Sequence, residues 1–111
     1  MKFMFFVATD PEAEPYDASQ DNIQEWGAEV DRRGVWKDGD RLRPASEATL
    51  VRRRGGEAVI TDGPFTESKE LIAGYDVIDC ADLDEAIEIA LKHPMSRFGR
   101  IEIRPFWPLD G

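Results

Sequence analysis

The stretch Thr61-Asp62-Gly63-Pro64-Phe65-Thr66-Glu67-Ser68-Lys69-Glu70, followed by Leu71-Ile72-Ala73-Gly74-Tyr75-Asp76-Val77-Ile78-Asp79-Cys80, divides into a charged turn and an apolar strand. Asp62 is a turn former, Gly63 tolerates positive φ and Pro64 fixes φ, so the chain must change direction over very few residues. After the turn, Leu71, Ala73, Tyr75 and Val77 alternate with Ile72, Gly74, Asp76 and Ile78, and both sets are mostly apolar. A strand of this kind is covered on both faces and belongs in the middle of a sheet.

Residues 2–8 read the same way, with Phe3, Phe5 and Val7 on one face and Met4, Phe6 and Ala8 on the other. Between these two strands, Asp21 and Gln24 predict a capping box ahead of a helix that buries Ile23, Trp26 and Val30 and stops at Gly34. Val35-Trp36 and Leu42 bracket an extended stretch that Lys37-Asp38-Gly39-Asp40 interrupts, which predicts a bulged strand. Ala48–Arg54 and Glu57–Thr61 flank Gly55-Gly56, a hairpin signature with a two-residue turn. Beyond the central strand, Asp82 and Glu85 predict a second capping box, and Leu83, Ala86, Ile87, Ala90 and Leu91 fill one helical face. Pro94 ends that helix, and Ile101 and Ile103 alternate with Glu102 and Arg104 in a last strand before Pro105.

The order strand, helix, strand, inserted hairpin, strand, helix, strand describes an α+β, ferredoxin-like sandwich in a single domain over residues 1–111. Two helices cover only one side of such a sheet. The apolar residues on the other side of strands 2–8 and 71–80 need a second cover, and the same face of a second copy supplies it, so a homodimer with its sheets face to face is expected.

A net charge of −9 argues against an electrostatic grip on nucleic acid or on an anionic membrane, since both require accumulated Lys and Arg. Arg52-Arg53-Arg54 cannot all point one way on a strand and reads as a solvated hairpin arm. Cys80 is the only cysteine, so no disulfide framework exists and a reducing cytoplasm is the expected compartment. The apolar run at residues 1–8 breaks at Thr9-Asp10-Pro11, too short for a signal segment or a membrane span. No His/Cys cluster, Walker loop, dinucleotide fingerprint or nucleophile elbow occurs, so neither a metal nor a cofactor is expected.

The residues that could carry chemistry gather at the turn. Asp62, Glu67 and Glu70 place carboxylates near Lys69, where they either transfer protons and hold a cationic or hydroxylated ligand or cap the turn and form a local charge network. Gly63 and Pro64 shape that turn, and Phe65 either walls a pocket or anchors it in the core. Tyr75 is either a core residue bonded across the sheet or a pocket donor. Arg104 either pairs with Glu67, Glu70 or Glu102 or binds an anion. His93 reads as a helix C-terminal cap and Cys80 as a small buried filler.

Asp62-Gly63-Pro64-Phe65, with Glu67, Lys69-Glu70 and Gly74, resembles the DGPF-domain family of the YCII-related superfamily. The likeness continues through Leu42–Pro44, Ala48–Val51, Leu83-Asp84-Glu85-Ala86, His93-Pro94 and Glu102-Ile103-Arg104-Pro105, and Met1 to Val7 resembles the opening strand. Arg43 departs from it, standing where the family pattern more often reads Leu-Gln-Pro. The resemblance implies a dimeric α/β barrel but no defined activity. In the wider group it implies a His–Asp pair as a catalytic unit, a position to which His93 is not matched. The function expected is therefore binding of, or action on, a small organic molecule in a pocket beside the turn. The alternative is a regulatory or interaction module working through its dimer surface, connected with sigma-factor-type transcription regulation.

Overall fold

A computed structural model of the protein describes residues 1–63 and 72–109. Strands β1 (Lys2–Ala8), β2 (Trp36–Arg41), β5 (Ile72–Asp79) and β6 (Arg100–Pro105) form one antiparallel sheet in the order β2-β5-β1-β6. Among the described residues, strands β3 (Thr49–Arg54) and β4 (Glu57–Asp62) pair only with each other. The helices are α1 (Ile23–Arg32), α2 (Leu83–Lys92) and the single turn α3 (Met95–Phe98), with short 3-10 turns at Ala18–Gln20 and Ala45–Glu47. Two strand–helix–strand units thus interlock, β5 lying between β1 and β2 and β1 between β5 and β6. This is the ferredoxin-like α+β arrangement that the order of elements predicts.

The register decides which residues face the helices. Phe3 lies opposite Ile78, Phe5 opposite Asp76 and Val7 opposite Gly74, while on the other side Phe5 and Val7 meet Ile103 and Ile101. Phe3, Phe5 and Ile78 have no exposed surface, and they pack with Trp26, Val30, Val35, Ala86, Ile89 and Ala90 in one core between sheet and helices. Met4, Phe6, Tyr75 and Val77 alternate with these and point to the open side of the sheet, where each remains only half-buried.

The helix ends follow local chemistry. Asp82 caps α2 by accepting the Glu85 N–H (2.9 Å), and Glu85 reaches back to accept the Ala81 N–H (2.7 Å), the expected reciprocal arrangement displaced by one residue from the cap's own N–H. At α1 the expected Asp21/Gln24 box is replaced. Asn22 is the cap, and its side chain instead donates to the Lys92 carbonyl (3.0 Å), while Asp21 accepts the Ile23 N–H (3.1 Å) and the Tyr16 hydroxyl (2.6 Å). Asn22 thus gives up the local cap for a tertiary partner, while Asp21 holds the first turn through the Ile23 N–H. Trp26 Nε1–H donates to the Ile89 carbonyl (2.9 Å), and Arg33 bridges Glu29 (2.9 Å) on its own helix to Glu85 (2.9 Å) and Glu88 (3.0 Å), so the two helices are bonded at several points.

The buried stripe of α2 corrects the sequence reading. Ala86, Ile89 and Ala90 are buried, whereas Leu83, Ile87 and Leu91 are 48%, 41% and 69% exposed. The helix is apolar on a wider arc than one packing partner can cover, so periodicity alone could not say which edge turns inward. At the hairpin, Gly55 (φ 58°) and Gly56 (φ 81°) both take the positive φ that a two-residue type I′ turn requires. The corrected stripe predicts that Ile89→Ala costs about 2–5 kcal/mol, as other buried truncations do, while Leu91→Ala stays within about 0.5 kcal/mol. Urea unfolding of the two variants measures the difference.

Candidate functional site

A cavity of about 390 Å³ opens between the sheet and the helices, walled by Val7, Ile23, Trp26, Met95 and Phe98, with Asp76 and His93 among its polar lining. Asp76 reaches it from the middle of β5 because its register partners, Phe5 on β1 and Gly39 on β2, put it on the helix-facing side. His93 arrives from the end of α2, directly after the buried stripe of Ala86, Ile89 and Ala90. Its Nε2 stands 4.0 Å from Asp76 Oδ2, too far for a hydrogen bond but close enough for one small group to engage both.

Each member of the pair is oriented from behind. His93 Nδ1 accepts the Met95 backbone N–H (3.0 Å), so the neutral ring carries its proton on Nε2, the nitrogen facing Asp76. The imidazole also meets Trp26 edge-on, with ring centroids 4.6 Å apart. Asp76 Oδ1 accepts Trp36 Nε1–H (3.0 Å), and that contact needs the glycine beside it. A Cβ on Gly39 would stand 2.5 Å from Asp76 Oδ1 and 2.7 Å from the Tyr75 carbonyl oxygen. The expected irregularity in β2 falls between Trp36 and Asp38, and it lets both Trp36 and Gly39 lie on the side of Asp76.

Burial sets the protonation of both groups. It raises the Asp76 carboxyl to about 6, against a lowering by the Trp36 hydrogen bond, and it lowers His93 to about 4, against a raising by the Asp21 charge. At neutral pH the pair is therefore a carboxylate beside a neutral imidazole that offers an N–H. That combination can accept a proton and donate a hydrogen bond within one small space.

Of the expected site residues, only Asp62, Gly63, Tyr75 and Arg104 lie among the described residues. Asp62 ends β4 opposite Thr49 and is exposed, and Gly63 (φ 90°) donates its N–H to the Ala48 carbonyl (2.6 Å). Pro64, Phe65, Glu67, Lys69 and Glu70 lie outside the described residues. Tyr75 borders the cavity, but its ring belongs to the open face with Phe6 and Asp40, and its hydroxyl lies 3.5 Å from Asp38 Oδ2. Nearby carboxylates, Asp38 foremost, raise that hydroxyl's pKa. Arg104 sits opposite Met4 on the same open face, its Nε 3.8 Å from Glu102 Oε2, and does not line the cavity. His93 is the α2 C-cap, as expected, and in addition turns its ring into the cavity. Cys80 is buried, and burial raises its thiol. Among the described residues no three His, Cys, Asp or Glu side chains converge as metal ligands, and no helix is long and apolar enough to cross a membrane.

Two signals for the pair were present in the chain. Asp76 is the one charged member of the set Ile72, Gly74, Asp76 and Ile78, and a lone acid on a buried face is a group that must be explained. His93 follows Ile89 by four and Ala90 by three, which continues the inward stripe of α2.

The opposed shifts make a pH signature. An ordinary carboxyl titrates near about 3.9 and an ordinary imidazole near about 6.5. Between about 4 and 6, folded Asp76 holds a proton that the unfolded chain has released, so its contribution to stability falls as pH rises. Between about 4 and 6.5, folded His93 lacks a proton that the unfolded chain binds, so its contribution rises. In the wild type the two slopes offset each other. Asp76→Asn should leave stability rising with pH across that window and His93→Gln should leave it falling, as read from urea midpoints at successive pH. Trp36→Phe, which removes the donor that favours the carboxylate, should move the Asp76 titration above about 6 in carboxyl-carbon NMR.

Comparison with known proteins places the chain. It is 43% identical over 67 residues to an uncharacterized protein of Rhizobium meliloti (strain 1021), a match that takes in 59% of this chain and 54% of the relative. The chain thus covers about half the length of that relative. The model of the YCII-related domain matches residues 1–110, and the chain belongs to that family.

Proposed function

We propose that the protein binds a small, largely apolar organic molecule in the cavity between sheet and helices and moves a proton on it with Asp76 and His93. The observation that carries this reading is the pair itself, a buried carboxyl raised to about 6 and 4.0 Å from an imidazole whose N–H is aimed at it. Asp76 serves as the base that takes a proton from carbon or hydroxyl. His93 Nε2–H then bonds the oxygen on which negative charge develops, while the proton is returned elsewhere on the molecule or a leaving group departs. The apolar walls raise the strength of both contacts by excluding water. The expected pocket beside the Asp62–Glu70 turn is thereby moved to the middle of β5.

We further propose that the protein works as a homodimer. The support is the open side of the sheet, where Met4, Phe6, Tyr75 and Val77 make an apolar surface with no helix over it among the described residues. Two such faces brought together form the dimeric α/β barrel.

Thermal-shift screening with aromatic and organic-acid metabolites tests the cavity. A ligand should raise the wild-type midpoint, and the rise should shrink in Asp76→Asn and His93→Gln but persist in Asp62→Asn. With a hit in hand, proton exchange into deuterated water followed by NMR should be lost by about 10²-fold or more in Asp76→Asn. Its pH profile should climb to a plateau with an apparent pKa of about 6. Unchanged exchange in both pair variants would remove the reading, and loss confined to Asp62→Asn would return the site to the turn.

A further inference from the structure

We propose that the β3–β4 hairpin is an arm that closes over the second copy of this chain, its arginines meeting that copy's Asp38 and Asp40; the inference rests on the homodimer proposed above. Among the described residues the hairpin contributes nothing to the core and pairs only with itself. The protein is broad and thin, 48 × 42 × 20 Å, with a radius of gyration of 16.1 Å where a compact chain of this length has about 13 Å. A lone two-stranded hairpin is marginal in water, so an ordered arm of six residues per strand calls for a surface to lie on.

The arm is built for contact. Val51 and Ile60 face each other across it on one side and are 69% and 65% exposed, an apolar pair with no cover in the monomer. Beside them Arg52, Arg53 and Arg54 outnumber Glu57 and Asp62, so the arm is positive in a chain whose net charge is −9. Among the described residues the cationic groups have only backbone partners, Arg53 with the Gly56 carbonyl (3.0 Å) and Arg54 with the Arg53 carbonyl (2.8 Å), while Arg52 Nε is buried with none.

The complementary charge lies along the exposed edge of the sheet. Asp38 and Asp40 on β2 are exposed on the open side, beside Val77 and Tyr75, where the second sheet is to pack. Their carboxylates accept only from the Gly39 and Arg41 N–H groups and the Tyr75 hydroxyl, and neither has a cation beside it among the described residues. Among the described residues, the arm thus carries arginines with no acidic partner, and the open apolar face is bordered by aspartates with no cationic one. A two-fold axis through that face would let each copy's arm serve the other, which gives a closed dimer and no open-ended chain.

Light scattering over a concentration series tests this. The wild type should show twice the monomer mass of 12.6 kDa. Val51→Lys with Ile60→Lys, and separately Arg53→Glu with Arg54→Glu, should weaken the dimer by about tenfold or more with unchanged circular dichroism. Asp38→Lys with Asp40→Lys should weaken it likewise, and the chain carrying both charge reversals should recover. A wild-type dimer that none of these changes weakens would overturn the arm and leave the face-to-face dimer standing. Weakening without recovery in the combined variant would overturn the assignment to Asp38 and Asp40. A monomeric wild type would overturn both.

Discussion

The site depends on the confinement of β5 between two antiparallel neighbours. Pairing with β1 and β2 at once leaves β5 no freedom to slide, and a shift by one residue would exchange Asp76 with Tyr75 or Val77. The register is held by what would be lost on slipping. Ile78 would leave the core beside Phe3 for the open face. Fixing hydrophobic partners at both ends of the strand therefore fixes a carboxylate in the middle of it. The cost of burying that carboxylate appears as its raised pKa, and the Trp36 donor offsets a part of it.

The second half of the pair is delivered by helix packing. The indole of Trp26 bonds the Ile89 carbonyl and meets the His93 ring, so one side chain of α1 positions both the last turn of α2 and the imidazole beyond it. Pro94 and Met95 then turn the chain so that the Met95 N–H faces Nδ1, and this backbone donor settles the tautomer. The charge cluster of Arg33 with Glu29, Glu85 and Glu88 lies at the other end of the helices and is partly solvated. Its contribution is to alignment of α1 and α2 more than to net stability. The two ends act together on one outcome, the distance from His93 to Asp76.

Strong local patterns were legible in the chain. The two-faced runs at residues 2–8 and 71–80, the Gly55-Gly56 turn and the Asp82/Glu85 cap each follow from a rule acting within a few residues. Where a pattern allowed two answers, the outcome was set elsewhere. Asn22 could have capped α1 locally but bonds the Lys92 carbonyl, and α2 turns Ile89 inward where Leu91 fits the period as well. Both are cases of a tertiary partner overriding a local preference.

By itself the sequence determined the order of elements, the central place of β5 and the family resemblance carried by Asp62-Gly63-Pro64-Phe65. The charges of that turn are visible in the sequence, whereas the burial that singles out Asp76 and His93 is not. Only the tertiary structure brought together Asp76 and His93, residues seventeen apart on different elements, with Trp36 and Gly39 from a third element behind Asp76. Neither shifted protonation state belongs to a residue type. Each is created by the low-dielectric space that sheet and helices enclose, and that space exists only once the chain has folded.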